Sequence, residues 1–317
     1  MSRAAVEPIA PVDAQAIRTA LRSTLGASRT LPPEAYLSEE VLAWERSHFF
    51  EGSWVCLGRA EELSGPGVVR EWHGWAFADA SGYALPFEEH VGNLDELVAP
   101  WEPERLFVAA KHEYVVNANW KTITENYHEC YHCPSIHPAL CKVTPVDSGE
   151  NFPHNGCWVG GNMELMDFAE TMSFTGRGGG VPIRGLDEKQ RREVYYYGLF
   201  PNLLISLHPD YVMTHRMDPL TPGKTWVECS WLFPPEVTEL ADFDPSYASE
   251  FWDVTNREDW AACESVQRGL ASRGARQGPF AWNEDEVHLF MAIVGRGYLE
   301  GRIFPPPQAN DSGGAAS

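Results

Sequence analysis

The sequence has 317 residues, with 24 basic and 45 acidic side chains and a formal net charge of −21 at pH 7. Apolar residues make up 44% of the chain and aromatic residues 12%, which is enough for a large hydrophobic core and excludes disordered, collagen-like and disulfide-scaffold proteins. The negative charge argues against nucleic acids and anionic membranes as partners.

Cysteine content and the N-terminal sequence indicate the compartment. Seven cysteines are an odd and sparse number, typical of free thiols in a reducing environment. Residues 1–24 include Glu7 and Asp13 and lack the apolar core of a signal peptide. No stretch approaches the ~18 apolar residues of a membrane span. We therefore expect a soluble, cytoplasmic protein.

The first part of the chain predicts short helices and strands. The expected elements are, in order, a helix over 14–25, a helix over 41–50, a strand over 54–58, a strand over 75–78 and a strand over 107–116. Ser38 is a good N-cap for the second helix. Residues 64–67, Ser-Gly-Pro-Gly, are typical of a connector.

The second part of the chain predicts a sheet followed by long helices. Residues 195–234 are mostly extended, with runs separated by Pro, Gly and Asp turns, which is typical of an antiparallel meander. The clearest runs are 203–207, 211–214 and 226–231. Helices follow over 245–270 and 283–299, and residues 305–317 have the composition of a disordered tail. Consecutive strands with long helices at intervals predict an α+β fold.

Residues 119–138, NWKTITENYHECYHCPSIHP, are the most informative about chemistry. Read as a helix that begins near Trp120, they carry a polar face separate from the apolar one. That polar face contains Glu125, His128, Glu129 and His132. Pro134 interrupts the helix, so His137 is expected just beyond its end, where it can converge with His132. Two neutral imidazoles can bind a first-row metal; a solvated face with a surface histidine is the alternative.

A carboxylate on a later helix offers a third ligand. Asp259 falls on the apolar stripe of the helix over 245–270, whereas its neighbour Glu258 falls outside it. A carboxylate on a buried face requires a partner, and either a metal ion or an arginine salt bridge would provide one. Two histidines and one carboxylate with open positions form the facial triad of non-haem Fe(II) oxygenases.

These residues together resemble the catalytic α subunit of Rieske non-haem iron oxygenases, in the branch that includes ring-hydroxylating and choline- or betaine-type enzymes. The resemblance is carried by Asn126, Glu129-x-x-His132-x-x-x-x-His137, and Asp259 ahead of Cys263-Glu-Ser-Val-Gln267-Arg-Gly. It implies that His132, His137 and Asp259 hold Fe(II). It further implies that Asn126 lies nearby without binding the metal, and that Glu129 hydrogen-bonds an iron-bound histidine on the side that faces the electron-donating cluster.

The sequence departs from this family in the cluster itself. A Rieske [2Fe-2S] cluster requires two cysteines and two histidines, presented as C-x-H and C-x-x-H. Cys130-Tyr131-His132 is the only C-x-H, its histidine belongs to the expected iron site, and C-x-x-H does not occur in the sequence. The family's cluster domain would lie between Gly67 and Val68, which are joined directly here. We therefore expect that the Rieske domain is missing and that native electron transfer is lost with it.

The resemblance also implies the architecture and the activity. The expected fold is the helix-grip fold of START and Bet v1-like proteins, with a twisted antiparallel sheet around a long C-terminal helix. Residues 1–67 would form an N-terminal arm, 68–304 the mononuclear-iron catalytic domain and 305–317 the tail. The implied function is O2-dependent hydroxylation or demethylation of a small organic substrate, in a trimer with a separate reductase or cluster-bearing chain as partner.

Other interpretations of the same residues stay open. The chain could be a cluster-less ligand-binding or partner subunit, or a zinc hydrolase, because zinc accepts the same ligands. Cys130 and Cys133 form a single C-x-x-C and are predicted to be small core residues, and His208 and His215 are predicted to be mostly structural. The aromatic residues of the meander are expected mainly in the core, with a cation–π cage for a quaternary ammonium group as the alternative. They are Tyr195, Tyr196, Tyr197, Phe200, Trp226, Trp231 and Phe233.

Overall fold

The computed structural model describes residues 9–22, 24–63 and 70–305. Its strands are β1 (Val55–Arg59), β2 (Arg70–Trp72), β3 (Trp75–Ala78), β4 (Phe107–Val116), β5 (Glu150–Asn151), β6 (Trp158–Glu164), β7 (Glu193–Leu199), β8 (Leu203–Leu207), β9 (Val212–Thr221) and β10 (Lys224–Phe233). Its helices are α1 (Ala14–Ala20), α2 (Glu34–Leu37), α3 (Glu39–Glu45), α4 (Phe87–Val91), α5 (Leu94–Val98), α6 (Trp120–Tyr127), α7 (Cys133–Ile136), α8 (Leu140–Val143), α9 (Ser246–Leu270) and α10 (Asp285–Glu300).

A seven-stranded antiparallel sheet forms the centre of the molecule, with the strand order β4-β10-β9-β8-β7-β6-β5. The central strand β8 is buried at all five positions, as its continuous apolar run predicts for a strand covered on both faces. Leu203 and Ile205 pack into one hydrophobic cluster, whereas Leu204 packs into the other. Successive side chains of a strand point to opposite faces, so the two clusters lie on opposite sides of the sheet.

One face of the large sheet is covered by a small antiparallel sheet with the order β1-β3-β2 and by α4 and α5. Trp75, Phe77 and Trp101 are each about 1% exposed in this cluster. The other face is covered by α6 and the 25-residue helix α9, which contact each other while α9 also contacts β4. An open antiparallel sheet with a long helix on one face confirms the predicted α+β fold.

Local capping fixes the helices that position the functional residues. The side chain of Asn119 accepts a hydrogen bond from the N–H of Lys121 at 3.0 Å, so α6 begins there. Ser38 caps α3 as predicted, accepting from the N–H of Val41 at 3.3 Å. Helix α10 ends at Gly301, whose φ of +79° is the left-handed conformation that glycine adopts most readily.

The helix predicted to reach His132 is shorter than expected. α6 ends at Tyr127, residues 128–132 form a turn, and Pro134 lies in the first turn of α7, where a missing N–H costs no helical hydrogen bond. The prediction of one shared polar face is therefore wrong. Glu125 is instead half-buried and accepts a hydrogen bond from the Tyr36 hydroxyl at 2.7 Å, and desolvation raises its pKa to about 8.

Two parts of the sequence-based prediction lie outside the described residues. They are the 64–67 connector with the Gly67–Val68 junction, and nearly all of the tail over 305–317. Among the helices that are described, none has the length and apolar character needed to cross a membrane.

Candidate metal centre

Three side chains from two separate parts of the chain meet beside α6. His132 precedes α7, His137 follows it, and Asp259 comes from the middle of α9. The Oδ1 atom of Asp259 lies 2.9 Å from Nε2 of His137 and 3.3 Å from Nε2 of His132. The two Nε2 atoms lie 3.1 Å apart. One nitrogen or oxygen atom from each residue thus points to a common centre.

The size of this triangle fits a first-row metal. Three donor atoms bound to one ion at about 2.1 Å and at right angles to one another lie about 3.0 Å apart. The measured edges of 2.9, 3.1 and 3.3 Å bracket that value. Two imidazoles and one carboxylate are a donor set suited to iron or zinc. The residues present therefore fit a mononuclear metal ion.

A glutamate holds the outer nitrogen of each imidazole. Oε1 of Glu129 lies 2.5 Å from Nδ1 of His132, and Oε2 of Glu258 lies 2.8 Å from Nδ1 of His137. Because a carboxylate only accepts hydrogen bonds, each Nδ1 carries a hydrogen, and each Nε2, which faces Asp259, would offer its lone pair to a bound metal ion. Both rings are thereby held in the orientation and tautomer that a metal requires.

Asn126 lies against the same site from the last turn of α6. Its Nδ2 is 3.2 Å from Nε2 of His132, and its Oδ1 accepts a hydrogen bond from the thiol of Cys263 at 3.2 Å. The amide group therefore packs between His132 and α9.

Without a metal, protons hold the three central groups together. Burial lowers the pKa of His132, but its hydrogen bonds to Asp259 and Glu129 outweigh burial and raise the value to about 9. The pKa of His137 is raised in the same way, against burial, by Asp259 and Glu258. Burial raises the pKa of Asp259, yet the hydrogen bonds from both histidines lower it overall. The site is thus electrostatically suited to a cation.

Cys130 and Cys133 are joined in a disulfide, with their Cα atoms 4.9 Å apart. The predictions of seven free thiols and of two separate core cysteines are therefore wrong for this pair. Cys130 lies in the turn after α6 and Cys133 begins α7, and their Cα separation is within the range that a disulfide requires. The five cysteines outside this pair are free.

A cavity of about 500 Å³ adjoins the three central residues, a volume typical of small-molecule sites. Its aromatic lining consists of Tyr127, Tyr196, Trp252, Trp260 and Trp282. Of the seven meander aromatics considered above, only Tyr196 reaches it. His215 also lines the cavity and hydrogen-bonds Asn256 at 3.0 Å, whereas His208 is fully buried and stacks on Tyr211.

Sequence reasoning missed Glu258, because a helical projection places it beside the apolar stripe rather than on it. Adjacent residues on a helix point about 100° apart, so Glu258 and Asp259 reach different nitrogens of the same His137 ring. The signal that could have found it is the pair of consecutive carboxylates. Trp252 and Trp260 were missed as cavity residues because nothing in the helix pattern separates a cavity wall from a core.

Comparison with known proteins decides the family. The family described as ring hydroxylating alpha subunit (catalytic domain) matches residues 103–300, which include all three central side chains. The chain belongs to this family. The predicted resemblance to Rieske non-haem iron oxygenases is confirmed, and with it the presence of a mononuclear non-haem iron and a Rieske cluster in the family as a whole.

The chain is similar to oxygenase subunits named for quaternary ammonium compounds. It is 25% identical over 245 residues to the glycine betaine monooxygenase oxygenase subunit of Chromohalobacter salexigens, covering 68% of this chain and 55% of that relative. The chain thus spans about half the length of this curated relative. The crystal structure of the quaternary ammonium Rieske monooxygenase CntA has the same fold, with a TM-score of 0.73, 19% identity, and coverage of 92% of this chain and 100% of the other.

One alignment bears on the predicted absence of the cluster domain. The carnitine monooxygenase oxygenase subunit of Acinetobacter baumannii is 22% identical over 347 positions, covering 86% of that relative but 78% of this chain. Since 78% of 317 residues is about 247, about 100 aligned positions have no counterpart here. This gap agrees with the absence of the cluster motifs from the sequence.

Proposed function

We propose that this chain is the catalytic portion of a Rieske-type non-haem iron oxygenase, which performs O2-dependent hydroxylation or demethylation of a small organic substrate. His132, His137 and Asp259 would hold the iron. The observation that carries the proposal is the triangle of three donor atoms, 2.9 to 3.3 Å apart, at the wall of a cavity of about 500 Å³.

The chain's own residues prepare the site. Iron supplies the reductive activation of O2, which no side chain provides. Glu129 and Glu258 hold the Nδ1 hydrogens of the two histidines and so keep both Nε2 lone pairs available. Trp252, Trp260 and Tyr196 exclude water from the cavity and orient an apolar or cationic substrate.

A small organic cation is the substrate class that the site favours. The relatives named above are named for glycine betaine, carnitine and quaternary ammonium compounds. The aromatic walls provide faces for a cation, and the cavity lining contains several carboxylates. An uncharged aromatic substrate would gain nothing from that negative charge.

Electrons would have to come from another chain. The sequence has no pair of cluster motifs, and inter-subunit electron transfer is named for the similar carnitine-oxidising monooxygenase. Glu129 is close to the surface, and the side chain of the adjacent Tyr131 is 63% exposed. A cluster-bearing chain, reduced by a separate reductase, would dock at this side of the site, in the trimer implied by the family.

Anaerobic metal binding tests the assignment. The purified chain should bind about one Fe(II), and His132→Ala or His137→Ala should abolish retention, because two ligands of the three cannot hold the ion. The matched control is His112→Ala, a histidine on β4 outside the cavity, which should retain iron. Full retention by His132→Ala would refute the ligand assignment, and exclusive binding of zinc would favour a hydrolase.

A second candidate is a non-catalytic ligand-binding subunit of the same fold, favoured by the absence of cluster ligands. Turnover separates the two candidates. The iron-loaded chain should oxidise a bound substrate in a single turnover with hydrogen peroxide, which supplies both oxygen and electrons. Substrate binding and iron retention without any oxidised product would favour the binding subunit.

A further inference from the structure

Apart from histidines, the ionic side chains described in the lining of the cavity are all carboxylates. Five carboxylates line it, and no lysine or arginine does so among the residues that the structure describes. The carboxylates are Glu129, Asp147, Asp259, Asp285 and Glu286. Two of them, Glu129 and Asp259, are engaged by the histidines of the metal centre. The other three, Asp147, Asp285 and Glu286, form the acidic part of the wall outside the metal centre.

Glu286 is the buried one of these three carboxylates. It lies in the first turn of α10, is 8% exposed, and its Oε1 has no hydrogen-bond partner among the described residues. Its other oxygen lies 3.8 Å from Nδ1 of His128, which is too far for a hydrogen bond. A buried carboxylate without hydrogen bonds is costly, and Glu286 therefore brings an unsatisfied acceptor to the lining of the cavity.

Packing prevents His128 from closing the gap. Its ring stacks on Phe290 and meets the edge of Tyr127. On the third side, its Nε2 rests against Gly198, where even a Cβ would clash with the ring. The imidazole is thus fixed in a slot formed by α10, α6 and β7, and Glu286 keeps one oxygen for another donor.

We propose that Glu286 anchors the charged group of the substrate by accepting a hydrogen bond from an N–H, so that the cavity prefers a protonated primary, secondary or tertiary amine over a quaternary ammonium ion. The inference rests on the proposed function and deepens it by naming the substrate class. A quaternary nitrogen has no hydrogen to donate and would leave Oε1 unsatisfied. A protonated amine satisfies both the charge and the open acceptor.

The same lining disfavours a carboxylate on the substrate. Glycine betaine and carnitine, for which the relatives are named, each carry one. In this cavity a substrate carboxylate would meet Asp147, Asp285 and Glu286, and no lysine or arginine among the described lining residues. The preferred substrate is therefore a small amine cation without an acidic group.

Four probe compounds separate the effect of an N–H group on binding from the effect of a carboxylate. N,N-dimethylethanolamine has an N–H and no carboxylate, choline has neither, N,N-dimethylglycine has both, and glycine betaine has only the carboxylate. Binding to the iron-loaded chain without oxygen can be followed by calorimetry. We expect N,N-dimethylethanolamine to bind tightest and choline about tenfold more weakly, the ratio expected for one charged hydrogen bond. The two carboxylate-bearing compounds should bind more weakly than their counterparts.

Glu286→Met should abolish the preference for N–H compounds, because it removes both carboxylate acceptors while keeping a side chain of similar length. Asp285→Asn is the matched control: the neighbouring carboxylate is exposed and already accepts a hydrogen bond from Asn151 at 2.6 Å, so the preference should persist there. Thermal unfolding of both variants verifies that they fold.

Three results would overturn the proposal: equal affinity for choline and N,N-dimethylethanolamine, a preference that survives in Glu286→Met, or no binding of any probe at millimolar concentration. Iron content is measured in the same samples. Iron retention without an N–H preference defeats this inference alone, whereas an N–H preference in a chain that retains no iron defeats the proposed function alone.

Discussion

Two polar clusters lie at opposite ends of α6. They differ in whether the donors and acceptors within each cluster pair with one another. At the start of the helix, Glu45 accepts hydrogen bonds from Lys121 at 2.6 Å, from Trp120 at 2.9 Å and from the Tyr298 hydroxyl. Glu45 and Lys121 are both fully buried. Charge and hydrogen-bonding capacity are matched within this cluster, which fastens α3 and α10 to α6.

At the end of the helix, the metal centre is incomplete by the same criterion. His132, His137 and Asp259 turn three acceptor atoms toward one point, and only protons can hold these atoms together in the absence of a cation. The comparison teaches that a buried polar cluster is structural when its donors and acceptors are balanced. A cluster with surplus acceptors indicates a site for a cation.

The largest effect should come from breaking the balanced cluster. Lys121→Met leaves the Glu45 carboxylate buried without its charge partner, which should lower the free energy of unfolding by about 3–5 kcal/mol. Urea denaturation measures the loss. The double variant Glu45→Gln/Lys121→Met is the control and should recover part of it. A loss below about 1 kcal/mol for the single variant would show that the pair is not structural.

A smaller effect on the free energy of unfolding should come from binding Fe(II) at the metal centre. Fe(II) at a hundred times its Kd should raise the free energy of unfolding by about 2.7 kcal/mol, because the ion binds only the folded chain. Anaerobic denaturation with and without the metal measures the gain. His137→Ala should show none, and an equal gain in that variant would place the ion elsewhere.

The glutamate that sequence reasoning missed should matter next. Glu258→Ala removes the acceptor of the His137 Nδ1 hydrogen and should weaken binding of Fe(II) or Co(II) about 10- to 100-fold. Glu258→Gln keeps an acceptor and should lose less. Glu250→Ala, an exposed position on the same helix, is the control. Equal affinity in all three variants would show that Glu258 has no positioning role.

The mildest effect should be a pH dependence confined to the metal-free chain. The pKa of His132 is raised from 6.5 to about 9 in the folded state, so its stabilisation is complete below pH 6.5 and is lost as the pH rises to about 9. The slope is at most about 1.4 kcal/mol per pH unit for one proton. Denaturation in the presence of a chelator measures it, and an unchanged slope in His132→Ala would assign it to another group.

The pattern of apolar residues along the sequence was sufficient to predict the bounds of several strands and helices. The strands β4 and β8 have the predicted bounds, and α9 begins within one residue of its prediction. The residues of the candidate site were also predicted, because the sequence around His132, His137 and Asp259 resembles that of Rieske non-haem iron oxygenases. What they bind stays a prediction until metal is measured.

Other features were not accessible from local pattern. α6 ends at Tyr127, before the turn that pairs Cys130 with Cys133, although the apolar spacing of the sequence continues beyond that residue. Short strands such as β5 carry too few residues to show a period, and their pairing with β6 arises only in the sheet.

The sequence by itself determined the family, the α+β class, the residues of the candidate metal centre and the absence of cluster motifs, since each depends on residue identity and spacing. Only the tertiary structure decided that Glu258 holds His137, that Trp252 and Trp260 line the cavity, and that Glu286 keeps an open acceptor in its wall. The physical reason is distance in the chain. Glu258 lies more than a hundred residues from its partner, and such contacts are fixed by packing rather than by local sequence.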